Sequence, residues 1–271
     1  MPLIALDDGC HLNYRVDGPA DAQPLVLSNS LGTAIPLWEP QMARLSQRYR
    51  VIRYDSRGHG ASDAPAGAYS LERLGQDVLT LLDELDIYRA HFCGLSLGGM
   101  VGQWLGANAG PRLERLVLAN TAAYMGPPDG WQVRMDLVSA GGMAAVTDGV
   151  IERWFTPDFI AGHPDTIDGI RRLLLATKPQ GYVGCCAVVR DMDQRPHLSG
   201  ITVPHAADRR HRRPGHPAGQ DPGTGGRHPR QPRGDAGRRP PDQRGTGRRL
   251  QPGAAGLPGL IFQSLTSMPV A

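Results

Sequence analysis

From His205 to Arg249 the chain contains no Ile, Val, Leu, Phe, Tyr, Trp or Met, and no Lys, Glu, Ser or Asn. Such a segment has no large apolar surface to bury against the entropy of ordering its backbone, so no core is expected there. Any globular fold of this 271-residue chain is therefore written in its first 204 residues, a length that suits one α/β domain. Charge divides at the same place. Residues 205–250 hold twelve Arg against four Asp, a net of +8, and residues 251–271 hold no charge. With +3 for the whole chain, residues 1–204 carry −5.

The four cysteines, Cys10, Cys93, Cys185 and Cys186, lack metal-ligand spacing, and the adjacent pair Cys185 and Cys186 is a poor disulfide. They read as buried small apolar groups in a reducing compartment, with no metal site. The N-terminal stretch MPLIALDDGCHLNYRVDG has no basic segment followed by an apolar one, and no run approaches the length of a membrane span. The expectation is a soluble, cytoplasmic protein with no membrane partner.

Between Pro2 and Asn120 short β-rich runs alternate with amphipathic helical runs, the pattern of a mostly parallel sheet with helices on both faces. The strands read as Leu3 to Leu6, His11 to Val16, Leu25 to Ser28, Tyr49 to Tyr54, His91 to Cys93 and Leu116 to Ala119. Leu71, Leu74, Val78, Leu81, Leu82 and Leu85 recur at three- and four-residue spacing and put one apolar stripe on a helix. From about Tyr124 to Met192 strand signals stop and helical segments broken by Gly and Pro follow, including one over Thr166 to Thr177. An all-helical insertion after a strand predicts a lid. Ile201 to Val203 reads as the start of a further strand that lacks its apolar continuation. The organisation expected is a core over 1–123, a helical lid over 124–194, a return to the core over 195–204 and an aberrant, unfolded tail over 205–271.

Gly94-Leu95-Ser96-Leu97-Gly98-Gly99 matches the G-x-S-x-G nucleophile elbow in the context the motif requires. A strand ends at Cys93, and Met100, Val101, Trp104, Leu105 and Ala107 supply the helix that follows. The serine of such an elbow sits on a strained turn, and flanking glycines admit neighbouring backbone without a Cβ clash. The helix N-terminus favours negative charge developing beside Ser96. Without that context the five-residue pattern would be a chance glycine-rich turn.

Leu25 to Thr33 is a strand entering a small-residue loop, the place from which the second oxyanion-hole N–H comes in these hydrolases. Leu31 and Leu97 are the candidate donors. Asp55-Ser56-Arg57-Gly58-His59-Gly60-Ala61-Ser62 follows the next strand and reads as structural turn chemistry, with Asp55 and Arg57 bracing the loop. His59 reads as a local hydrogen-bonding group ahead of a general base.

With these residues in hand, the chain resembles the 3-oxoadipate enol-lactonases, a branch of the α/β-hydrolase fold family. The stretches that carry the resemblance are Leu27 to Thr33, Tyr54 to Asp63, Gly94 to Gly106, Arg115 to Ala122 and Gly181 to Asp193, the last lying in the lid. Together they span about residues 1–204. The resemblance implies hydrolysis of 3-oxoadipate enol-lactone in the β-ketoadipate pathway of aromatic catabolism, by Ser96, with no metal or organic cofactor. Its implied partner is a small-molecule lactone. Because that substrate is a carboxylate, a lid cation is expected, and Arg153 beside Trp154 is a candidate set against an ordinary amphipathic helix. Dehalogenases of the fold use a carboxylate where Ser96 stands, which disfavours that reaction.

A hydrolase of this order needs an Asp and then a His after the nucleophile. Neither is recognisable here. The tail holds His205, His211, His216 and His228, each among Arg, Gly and Pro. A shift of the coding frame near Pro204 accounts for the whole tail. Back-translated and read one base later, His205 to Gly219 permits TLLIAGTDDPATPP, a strand followed by an acidic turn. The same shift over Arg238 to Gly256 permits AAHLTNVEQADAFNPALLG, a helix bearing a histidine. Two matches in one frame, in the expected order, weigh far more than one. The polypeptide as written is expected to be weakly stable and nearly inactive. Two rivals remain open at this stage, a general carboxylesterase of the same fold and a pseudo-enzyme whose basic tail binds nucleic acid. The tail carries no Phe, Tyr or Trp among its arginines for base stacking and no RGG repeat, so a nucleic-acid partner is not favoured.

Overall fold

The computed structural model describes residues 2–208. Seven strands form one sheet, β1 (Leu3–Ala5), β2 (His11–Asp17), β3 (Pro24–Ser28), β4 (Arg50–Tyr54), β5 (Ala90–Leu95), β6 (Leu113–Ala119) and β7 (His205–Asp208), in the order β1-β2-β4-β3-β5-β6-β7. The β1–β2 and β2–β4 pairs are antiparallel, and β4, β3, β5, β6 and β7 run parallel. Strand β5 is buried at every position, as a central strand of a parallel sheet covered on both faces must be.

Alternation along the strands divides the core in two. Val26, Ile52, Phe92, Leu116 and Leu118 point to one face, where α2 (Leu71–Glu84), α3 (Leu97–Asn108) and α8 (Pro179–Asp191) pack. Leu25, Leu27, Val51, Cys93, Leu95 and Val117 point to the other, toward α1 (Glu39–Leu45), α5 (Ala144–Trp154) and α7 (Pro164–Ala176). The helices on both faces are thus a consequence of a period-two apolar pattern. Helix α2 begins where Ser70 Oγ accepts the Arg73 N–H at 3.0 Å, and the leucine stripe read from the sequence is its buried face.

Residues 128–191 form helices separated by breaks of one or two residues, with α4 (Pro128–Gly141) and α6 (Pro157–Gly162) completing the set. The lid thus has the all-helical character expected of it. Besides the apolar packing of α5, α7 and α8, polar contacts of one short stretch tie the lid to the core: Lys178 Nζ donates to Ser62 O at 2.8 Å, Gln180 Nε2 to Ala64 O at 2.9 Å, and the Tyr69 N–H to Gly184 O at 3.1 Å.

One strand differs from expectation. Ile201 to Val203 is not a strand; the strand is β7, which begins four residues after Ile201, with Leu116 opposite His205 and Ala119 opposite Asp208. The Leu116 N–H donates to Pro204 O at 3.0 Å. Pairing with β6 asks only for backbone N–H and C=O groups, so the sheet edge selects the position where the side-chain pattern does not. Val203 is buried and Ile201 packs beside Gly106. The expectation of an unfolded tail, with His211, His216 and His228, lies outside the described residues beyond Asp208.

Candidate active site

Ser96 joins β5 to α3 with φ 53° and ψ −110°, a left-handed conformation that a residue with a side chain adopts only where its surroundings enforce it. The Ser96 N–H donates to Ala119 O at 2.9 Å, and Thr121 Oγ1 donates to Ser96 O at 2.8 Å, so β6 holds the turn from below. The flanking glycines are needed because a Cβ on Gly94 would meet the Gly98 carbonyl, and one on Gly98 would meet the Ser28 carbonyl. Ser96 is half-buried, and its Oγ has no hydrogen-bond partner among the described residues.

The loop after β3 lies against this turn. Asn29 O accepts the Gly98 N–H at 3.0 Å, which removes Gly98 from the possible donors to substrate. The Asn29 side chain is fixed in turn, its Nδ2 donating to Tyr54 O and its Oδ1 accepting from Trp38 Nε1, both at 2.7 Å. Farther along, the Gly32 N–H donates to His59 Nε2 at 2.9 Å and the Thr33 N–H to Ser30 O at 3.1 Å. Leu31 is left between them, while Leu97, the first residue of α3, has no acceptor one turn back. Both leucine side chains are buried.

His59 is 1% exposed and belongs to this loop's support. Its Nε2 accepts from Gly32, so Nδ1 carries the proton and faces Arg57 O at 3.2 Å. Burial lowers its pKa below the usual histidine range, which keeps the ring neutral and the acceptor available. No histidine hydrogen-bonds Ser96 among the described residues; His205 Nδ1 lies 2.9 Å from Val203 O.

The Asp55–Ser62 loop has the structural part read from its sequence. Asp55 accepts from Ile35 N–H at 2.7 Å, Ala61 N–H at 3.0 Å and Asn13 Nδ2 at 2.7 Å. Arg57 forks onto Asp77 at 2.7 and 2.8 Å and reaches Asp8 at 2.8 Å. All four cysteines are buried and free, and burial pushes the Cys93 thiol up to about 12. No His, Cys, Asp and Glu cluster able to hold a metal occurs among the described residues. No helix of the described residues is long and apolar enough to cross a membrane.

Of the lid candidates, Arg153 is exposed in the last turn of α5, and Trp154 is half-buried against the apolar cluster of Phe155, Ile167 and Ile170. Three residues not singled out in the sequence are linked to the loop of Leu31 and Gly32. Thr177 Oγ1 donates to Gly32 O at 3.0 Å, the Tyr182 ring lies against Gly32, and Arg134 Nη1 donates to Tyr182 Oη at 3.4 Å. Of the three only Tyr182 falls in the stretch from Gly181 onward, which marks the lid but not which side chains turn inward.

Residues 23–150 match the α/β-hydrolase fold family model. The 3-oxoadipate enol-lactonase 2 of Acinetobacter baylyi is 42% identical over 193 residues, 71% of this chain and 72% of that protein. The crystal structure of the enol-lactonase from Burkholderia xenovorans superposes with a TM-score of 0.74 at 45% identity, covering 76% of this chain and 80% of that one. The chain belongs to the 3-oxoadipate enol-lactonase family of α/β-hydrolases. A more distant relative, the RutD protein of Stutzerimonas stutzeri, named for carbamate hydrolysis, is 36% identical over 162 residues, 58% of this chain and 61% of that one. In this member of the family the Ser96 turn and the loop after β3 are in mutual contact through Gly98 and Asn29.

Proposed function

We propose that this chain is built to hydrolyse 3-oxoadipate enol-lactone, in the β-ketoadipate pathway of aromatic catabolism, through Ser96. The observation that carries the reading is the strained Ser96 turn packed against the loop of Leu31, in a chain 42% identical to a protein named for that reaction. Ser96 Oγ attacks the lactone carbonyl and loses its proton to a base. The oxyanion takes hydrogen bonds from the Leu31 and Leu97 N–H groups, the ring C–O bond breaks, and water then cleaves the acyl-serine to release the keto acid. No step calls for a metal or organic cofactor. Simple esters offer the same carbonyl, so a general carboxylesterase is the competing reading.

The base and the acid that orients it belong, on this proposal, to the reading frame one base away from that of residues 205–271. One fact supports it beyond the composition of the segment: β7 occupies His205–Asp208, the four positions the shifted frame fills with Thr, Leu, Leu and Ile. Among the described residues no histidine hydrogen-bonds Ser96, and loss of triad members costs about 10⁴ to 10⁶ in turnover.

The test is to resequence the coding DNA across the codons for Val203 to His216 and to assay the chain before and after a one-base restoration. Restoration is expected to raise enol-lactone turnover by about 10⁴-fold or more and to favour the enol-lactone over an alkyl ester. No gain on restoration would overturn the frame assignment, and equal turnover of both substrates would overturn the lactonase assignment.

A further inference from the structure

The loop after β3 reverses at Ser30–Thr33, where the Thr33 N–H donates to Ser30 O at 3.1 Å. Gly32 has φ +80° and Leu31 has no positive φ, the pair of signs that defines a type II turn with Leu31 in its second position and Gly32 in its third. Type II differs from type I by a flip of the peptide that joins these two residues. The form of the turn, and with it the placing of the Leu31 N–H, is therefore decided at Gly32.

Core and lid each hold one polar group of Gly32. On the core side its N–H donates to His59 Nε2 at 2.9 Å; on the lid side its O accepts from Thr177 Oγ1 at 3.0 Å, a buried residue at the end of α7. Apolar contact follows the same division. Leu174 of α7 and Tyr182 of α8 close over Gly32, their Cδ2 and ring edge lying 2.9 and 3.0 Å from where a Cβ on it would stand. The Thr177 hydroxyl has one proton and two acceptors in reach, Gly32 O and, at 3.1 Å, Leu173 O of its own helix. If the junction of α7 and α8 lifts, the proton keeps Leu173 O, a bond to the preceding helical turn of the kind threonine commonly makes. Release thus leaves no donor unpaired in the lid, while Gly32 loses its hold.

We propose that Thr177 is a positioning residue of the reaction: by holding Gly32 O from the lid, opposite His59, it keeps the turn in the form that presents the Leu31 N–H to the oxyanion, so that this donor is in place only while the α7–α8 junction is seated. The inference rests on the reading of Leu31 as an oxyanion donor. Thr177 touches neither substrate nor Ser96 on this account; it acts through Gly32. A donor displaced by a fraction of an ångström loses most of its effect on the transition state and little of its effect on binding. The signature of the role is accordingly a fall in kcat with KM kept.

The experiment is the hydrolysis of p-nitrophenyl acetate by the full chain and its variants. A serine hydrolase deprived of its base retains the rate that oxyanion donors and binding supply, so residual turnover reads the Leu31 site directly. Leu31→Pro removes the N–H and suits the second position of a type II turn, and is expected to lower kcat about 10²-fold. Thr177→Val, which exchanges the hydroxyl for a methyl group, is expected to lower kcat about tenfold with KM unchanged. Thr177→Ser keeps the hydroxyl and is expected to stay within about threefold of the native chain. Thr177→Ala reads the same loss if the valine chain does not fold. If Leu31→Pro loses turnover and neither Thr177→Val nor Thr177→Ala does, the positioning role falls and Leu31 remains the donor. If Leu31→Pro matches the native chain, or the native chain does not exceed the uncatalysed rate, the reading of Leu31 falls and the inference with it. A rise in KM at constant kcat in Thr177→Val, or an equal loss in Thr177→Ser, would make Thr177 a packing residue and overturn the proposal.

Discussion

At the scale of single residues the loop of Leu31 and Gly32 depends on a histidine that must stay neutral. His59 Nε2 accepts the Gly32 N–H, and a protonated ring would set two donors against each other at 2.9 Å. Its folded pKa is depressed by burial, as is that of His91. A depressed histidine contributes stability that is complete above its ordinary titration range, near about 6.5, and is lost as pH falls toward the folded value. Unfolding free energy measured by urea titration should therefore drop from pH 7 to pH 5. His59→Gln, whose amide oxygen can accept from Gly32 without titrating, should lose about 1–3 kcal/mol at pH 7 and show a shallower pH dependence. An unchanged slope in the variant would assign the acid sensitivity to His91. The sequence placed His59 in a structural loop, and its neighbours Asp55 and Arg57 have that part. It could not show the acceptor role, because Gly32 lies 27 residues away and only the fold brings the two together.

At the scale of elements, the lid meets the core through bare backbone. Gly58 and Gly181 approach so closely that a Cβ on either would enter the other's backbone, and Gly184 takes the Tyr69 N–H on its carbonyl while the Tyr69 ring covers its Cα. Gly181→Ala should therefore lift the start of α8 from the Asp55–Ser62 loop and cost about 2 kcal/mol or more. Its chemical-denaturation midpoint checks this; a midpoint equal to that of the native chain would mean that the contact yields without loss. Elements were legible where their periodicity is plain. The leucines of α2 and the buried runs of β3, β4 and β5 declare helix and strand by themselves. The seven-residue α1 went unread because Glu39 to Leu45 is too short for a repeat to emerge, and β7 because its side chains carry no pattern at all. The inward-facing lid residues Arg134, Thr177 and Tyr182 were equally unreadable, since helical period gives a face and not the element that face meets.

At the scale of the whole molecule, the sheet ends on a strand that its own sequence does little to hold. A strand covered on both faces of a parallel sheet is normally rich in Val, Ile and Leu, whereas β7, last in the order of the described strands, is His-Ala-Ala-Asp and its first two residues are exposed. Backbone hydrogen bonds to β6 hold its register, but they are exchanged for bonds to water on unfolding and add little net stability. The shifted frame would set Leu, Leu and Ile beside β6, each contributing roughly 1.5–3 kcal/mol if fully buried, an upper bound because the unfolded chain already covers some of that surface. It would also exchange the arginine-dense stretch for apolar and acidic residues, easing the charge imbalance between the two parts of the chain. Restoring the frame should accordingly raise the urea midpoint by an amount equivalent to several kcal/mol and sharpen the transition, independently of any gain in turnover. If the chain as written already unfolds at the same midpoint and with the same slope, residues 205–271 are sufficient partners for the sheet. The missing base would then be a property of the protein, and the frame assignment would fail on stability alone.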